Sequence, residues 1–345
     1  MNRRAWLRLA SGGLVGLPLA GCGLDLTASS QDSLTIYAAR PESITDEIIA
    51  EFERTHPEWR GRVRVLTMGA QEVLARLGAE SARPQADIWW GGTHQQFGQA
   101  VADELLTPAP REVVQRVPAE FRGEDDLWLG EMRVVQVILY NPEMITPEEA
   151  PHDWENLVDP EFRGRILIRD VASSGTMRSI YTAMIWLLAQ PGDDPRPGYE
   201  WLLDLDRNTK AYTANPTDLY LRVHRREAPL SLWNLQDVLV QRDLGMSMEP
   251  LIPASGSPML LDGVGKVRGG PNPGGGDAFL RFLLSTEVQQ RLADDFYQTC
   301  TIPLERAPGW QEELGVRELA VDWDEINRHE NEWFTYWAEN IQGRG

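Results

Sequence analysis

From Leu34 onward, short apolar runs alternate with helical repeats, and that alternation limits the chain to a sheet carrying helices on its faces. Leu34-Thr35-Ile36-Tyr37-Ala38 reads as a first buried strand. Ser43 and Thr45 then offer helix caps, and Asp46 and Glu47 suit the positive end of a helix. Ile48, Ile49 and Phe52 recur at helical spacing behind them. Val63 to Leu66 reads as the next strand and Gln71 to Ser81 as a helix. Ala86-Asp87-Ile88-Trp89-Trp90 is a third strand, stopped by Gly91-Gly92, with a helix to about Asp103. This βαβαβ start predicts a parallel sheet with helices on both faces.

The alternation continues. Val134 to Tyr140 and Ile166 to Ile168 read as strands, and Thr176 to Ala189 as a long apolar helix. Helices are expected over Tyr199–Asp206 and Pro216–Arg226, a strand over Leu230–Trp233, and a helix over Gln236–Arg242. A strand begins at Met259 and runs to about Val267, before a flexible Gly/Pro loop over 269–276. Helices follow at Asp277–Leu284 and Glu287–Phe296, and Trp323, Ile326, Trp333 and Trp337 share one helical side in the tail. At 345 residues the chain has room for two domains of about 150 residues.

Acidic residues outnumber basic ones 52 to 33, for a net charge of −19, which repels phosphate backbones and argues against nucleic acid as a partner. The two cysteines, Cys22 and Cys300, exclude a disulfide scaffold and a Cys-rich metal centre. Residues 1–21 form an export signal: Arg3, Arg4 and Arg8 precede a short apolar stretch from Leu9 to Ala20. Asn2 to Arg8 resembles a twin-arginine motif, and Leu19-Ala20-Gly21-Cys22 resembles a lipobox whose thiol becomes lipidated. Acyl chains on Cys22 would hold the body at a membrane surface, with residues 22–31 as a tether. Cys300 is then a lone thiol, expected to act as a small buried residue.

Four stretches, in order, resemble a bacterial ABC-transporter substrate-binding protein of the subgroup that takes ferric iron, phosphonates and sugar phosphates. They are Leu34 to Glu42, Pro84 to Gly92, Leu139-Tyr140-Asn141-Pro142 continuing to Gly164, and Ser173-Ser174-Gly175-Thr176. Gly270-Pro271-Asn272-Pro273, leading to the Phe282-Leu283-Leu284-Ser285 helix, extends the match. The resemblance implies the two-lobed α/β periplasmic-binding-protein fold (type II), with two hinge strands crossing between lobes. It places lobe 1 at 32–135 and 253–306, and lobe 2 at 136–252 and 307–345. It also implies a monomer that closes on a small solute and delivers it to an ABC permease in the inner membrane, from a periplasmic or cell-surface position. Neither a cofactor nor a resident metal is expected.

The ligand is read from the turns at strand ends. Ser173-Ser174-Gly175-Thr176 precedes a strong helix, and its hydroxyls and free N–H groups suit an oxyanion. Its plain alternative is a helix cap; the resemblance favours the oxyanion. Arg40, past the first strand, is either an anion ligand or a surface arginine, and Thr93 lies at the equivalent edge of the third strand. Trp90 is either a stacking wall or core. Asn215 stands where relatives place a ligand loop, Trp233 and Asn234 end a strand, and Asp237 either pairs with a ligand ammonium or caps a helix. Ferric relatives use two adjacent tyrosines here, but this chain has Trp233-Asn234-Leu235-Gln236-Asp237, which argues against the ferric mode. Ferric iron or a metal complex remains the alternative cargo, with His94 as a lone candidate ligand. An enzyme is not expected, because the five histidines are scattered and no nucleophile motif occurs.

Overall fold

The computed structural model describes residues 33–189 and 194–345. The export signal, Cys22 and the tether lie outside the described residues.

The first half of the chain folds as β1 (Leu34–Ala38), α1 (Glu42–Thr55), β2 (Val63–Thr67), α2 (Ala70–Ala79), β3 (Ile88–Thr93), α3 (His94–Ala102), β4 (Leu106–Thr107), α4 (Arg111–Val114) and β5 (Trp128–Tyr140). Then come β6 (Ile166–Arg169), α5 (Gly175–Ala189), α6 (Arg196–Asn208), β7 (Thr209–Thr213), α7 (Pro216–His224), β8 (Leu230–Asn234), α8 (Leu235–Asp243) and β9 (Glu249–Leu251). The chain ends with β10 (Met259–Val267), α9 (Pro273–Leu283), α10 (Thr286–Phe296), α11 (Gly309–Leu314) and α12 (Trp323–Asn340).

The sheet order is β2-β1-β3-β10-β5-β8-β6-β7, with β4 on β10 and β9 on β5. It is mixed rather than parallel throughout. β1 pairs in parallel with β2 and β3, and β6 with β7 and β8. β10 runs antiparallel to β3 and β5, and β5 antiparallel to β8. The switch occurs at β5, which serves both lobes. Residues up to Val135 pair with β10, and residues from Gln136 pair with β8. The second crossing is the segment between β9 and β10, residues 252–258.

Apolar packing follows the same division. One cluster joins β5 from Val135 onward with α5, α6, α7 and α8, and it includes Ile326, Trp333 and Trp337 of α12. The other side holds two clusters, around Ile36, Phe52, Trp90 and Phe279, and around Trp89, Phe97 and Trp128. Within the second, Phe97 stacks between Trp89, at 4.2 Å, and Trp128, at 5.1 Å.

Beyond short elements the sequence did not signal, such as β4, β7 and β9, three expected segments differ in extent. β3 continues through Gly91 and Gly92 instead of stopping there. Gly91 has φ +96°, and a Cβ there would come within 3.0 Å of the Ala39 carbonyl oxygen, so the strand passes only because no side chain intervenes. The expected loop at 273–276 is the first turn of α9, capped by Asn272, whose Oδ1 accepts from the Gly275 amide at 2.9 Å. Gly275 lies against Trp59, where a Cβ would come within 2.7 Å of the ring. β5 also starts six residues before the expected Val134. Its early part carries Glu131, which is fully buried and reads as a loop residue in isolation.

Candidate functional site

The segments that follow the carboxyl ends of β3 and β6 meet at one cavity; α3 starts directly after β3, and α5 starts after a five-residue turn from β6. Open α/β sheets place ligands at such ends. A cavity of about 630 Å³ opens there, lined by Thr93, Gln95 and Gln96 on one side and by Ser174, Gly175 and Arg178 on the other. Glu330 and Asn331 of α12 form a third wall.

α5 starts this way because the turn before it satisfies its own polar groups. Ser174 Oγ accepts from the Met177 amide at 3.2 Å, so it caps the helix. Gly175 and Thr176 supply the next two amides, which precede the first intrahelical bond. Ser173 differs from its expected role. Its amide donates to Asp170 Oδ1 at 3.0 Å and its hydroxyl donates to the same oxygen, so both groups serve the turn. Thr176 Oγ1 donates to Asn234 Oδ1 at 3.1 Å, tying β8 to α5. The cation of the site is Arg178, four residues after Ser174 and on the same helical face.

Arg40 does not face the cavity. It is buried between Glu131 and Asp262, with Nη2 at 2.7 Å from a carboxylate oxygen of each. Both readings made for it, anion ligand and surface residue, give way to an internal ion triad. Trp90 is fully buried core and donates through Nε1 to Glu131 Oε2 at 2.7 Å. Gln298 Nε2 reaches Glu131 Oε1 at 3.2 Å, and the Gly92 amide donates to Asp262 Oδ1 at 3.1 Å. Burial works against the Arg40 cation, but Asp262 and Glu131 overcome it and hold its pKa above the ordinary value.

Burial pushes the Asp262 carboxyl up to about 6, despite the attraction of Arg40. Since this is above its unfolded value, the protonated form favours folding; that contribution is complete below the unfolded pKa and is lost as pH rises through about 6. The expected result is that wild type loses stability relative to Asp262→Asn between about pH 4 and pH 6. Urea unfolding of both proteins across that range checks it; parallel curves would refute it.

The remaining expected residues lie away from the cavity. Asn215 is exposed and caps α7, accepting from the Asp218 amide at 2.8 Å. Trp233 is buried and donates through Nε1 to Asp237 Oδ2 at 2.9 Å, and Asn234 Nδ2 donates to the same oxygen at 3.2 Å. Asp237 is thus committed inside the fold, and burial raises its pKa. His94 sits at the start of α3, with Nε2 at 2.9 Å from Asn327 Nδ2. Burial holds its pKa below the usual histidine value, so it is neutral near pH 7. Among the described residues, no group of three or more His, Cys, Asp or Glu is placed to hold a metal ion.

Sequence reasoning missed the α12 wall. Gln95 Nε2 donates to Asn327 Oδ1 at 2.6 Å and lies 3.4 Å from Glu330 Oε2. Arg178 Nε is 3.1 Å from Glu330 Oε1, and its guanidinium lies 4.3 Å from the Phe334 ring centre. α12 therefore touches the β3 side through α3 and the β6 side through α5. Arg178 was accessible from its spacing to Ser174, whereas no local signal links Gln95 to residues more than two hundred positions away.

Two α/β lobes joined by a shared strand, with a polar cavity at the facing helix starts, define a periplasmic binding protein of the ABC-importer type. A family model described as "Bacterial extracellular solute-binding protein" matches residues 85–329, and the chain belongs to that family. The "Iron uptake protein A1" of a Synechocystis species is 25% identical over 285 residues, 79% of this chain and 76% of that protein. The "Putative 2-aminoethylphosphonate-binding periplasmic protein" of Salmonella typhimurium is 24% identical, over 76% of this chain and 78% of that protein. Among solved structures, the "Ferric binding protein from Campylobacter jejuni" superimposes with a TM-score of 0.76 at 21% identity, covering 89% of this chain and 99% of that one. The family consists of solute receptors that work with membrane permeases, not enzymes.

Proposed function

We propose that the chain captures a small organic oxyanion, a phosphonate or phosphate ester, between its lobes and presents it to an ABC permease. One observation carries this reading: the start of α5, with the Ser174 hydroxyl and the Arg178 guanidinium on one face, opens into the interlobe cavity. Amides at a helix start and an adjacent guanidinium are complementary to a tetrahedral oxyanion. A ligand touching both walls binds only the closed arrangement and shifts the population towards it. The lobe boundaries adopted here are 32–135 with 253–306, and 136–252 with 307–345. Cys22 is the proposed lipid anchor, and the receptor acts as a monomer.

Calorimetry with 2-aminoethylphosphonate tests the site. Ser174→Ala, which removes a cavity-lining hydroxyl that also caps α5, should weaken binding at least tenfold, about 1.4 kcal/mol. Unchanged affinity would remove that turn from the site.

The alternative cargo is ferric iron or a metal complex, favoured by the similarity to an iron-uptake protein and a ferric binding protein. The sequence opposes it, because by the family resemblance Trp233-Asn234-Leu235-Gln236-Asp237 stands where ferric relatives carry the paired tyrosines. Fe(III) added to the purified protein should give no tyrosinate charge-transfer band; a red complex would replace the oxyanion reading.

A further inference from the structure

Of the described residues lining the interlobe cavity, Arg178 and Glu330 carry the only charges. The rest of the lining is mainly amide, hydroxyl and backbone, including Gln71, Gln96 and Gln99. Glu330 comes from α12, outside the strand-end turns where ligand groups are expected. Its carboxylate is placed between the lobes, with Oε1 at 3.1 Å from Arg178 Nε and Oε2 at 3.4 Å from Gln95 Nε2. Neither Arg178 nor Glu330 is fully enclosed, their side chains being 26% and 22% exposed. Both therefore remain accessible from the cavity.

We infer that Glu330 is a specificity determinant of this site, selecting a zwitterionic oxyanion over a polyanion. The inference rests on the oxyanion reading above and deepens it. An oxyanion head at the Gly175 and Thr176 amides lies beside Arg178 and competes with Glu330 for that guanidinium. The displaced carboxylate then needs a new donor, which an ammonium on the ligand's other end supplies. A second anionic group would instead meet Glu330, with no further cation among the described lining residues to offset it. The carboxylate thus acts as an element against the wrong partner as well as for the right one. Gln95 contributes from the opposite lobe by holding Asn327 and approaching Glu330, so the selecting group is fixed only when both walls are in place.

The test compares 2-aminoethylphosphonate with 2-carboxyethylphosphonate, in which a carboxylate replaces the amine. Calorimetry on wild type should show at least a tenfold preference for the amine, about 1.4 kcal/mol. Glu330→Gln, which keeps the shape and removes the charge, should narrow the preference to within about threefold. Glu330→Asp should keep the amine ahead. Circular dichroism melting of each variant verifies that the fold is retained. An unaltered preference in Glu330→Gln, with both phosphonates still binding, would overturn the inference and leave the oxyanion reading standing. Absence of binding by either phosphonate to wild type would overturn both.

Discussion

Arg40→Met should destabilise the protein by about 3–5 kcal/mol at neutral pH, the cost of removing one partner from a buried ion cluster. Methionine preserves most of the side-chain length, so the loss comes from charge more than from volume. Glu131 is fully buried, and without Arg40 it would keep only the neutral donors Trp90 and Gln298. Asp262 would retain the Gly92 amide. Two carboxylates in that position can lower their cost only by taking up protons. The deficit should therefore shrink as pH falls, and guanidinium unfolding at about pH 7 and about pH 5 measures it. A loss below about 1 kcal/mol at neutral pH would mean that water reaches the cluster and screens its charges.

Arg178→Met should weaken 2-aminoethylphosphonate binding by roughly ten- to a hundredfold, because charge-assisted hydrogen bonds contribute about 1.5–3 kcal/mol. The variant keeps a long apolar stem against Phe334, where the guanidinium packs in the wild type. Its melting temperature is the control that separates lost contact with the solute from lost packing. Arg178→Lys should fall between the two, retaining a positive charge without the planar fork. Wild-type affinity in Arg178→Met would place the anion elsewhere in the cavity and leave α5 as scaffold.

The opening βαβαβ unit was legible because each strand there is an apolar run and each helix shows its own periodicity. β7 was not, since Thr209-Lys210-Ala211-Tyr212-Thr213 is short and half polar and lies at the sheet edge. The early part of β5 was hidden for a different reason. Glu131 and Arg133 mark a loop in any local window, and Glu131 becomes a strand residue only through Arg40, 91 positions earlier. The same distance defeats the reading of Arg40 itself, whose other partner, Asp262, is 222 positions away. At the site, the Ser173–Thr176 turn was visible from its strand, small residues and helix in succession. The contribution of Glu330 was not, because α12 signals only a packed aromatic face. Its polar side acquires meaning when Ile326, Trp333 and Trp337 have seated it against α5.

In β5, Val135 pairs with Met259 while the very next residue, Gln136, pairs with Asn234. The changeover falls between adjacent residues, and the Gln136 amide still donates to the Pro258 carbonyl of the second crossing at 3.1 Å, so the two crossings bend together while the ladders on either side stay intact. Such a joint behaves as a flexure with one dominant degree of freedom, and the halves should swing as solid pieces. A single pair of spin labels, one on each half, would then track the whole opening coordinate, and every other interhalf distance would follow from it by rigid geometry.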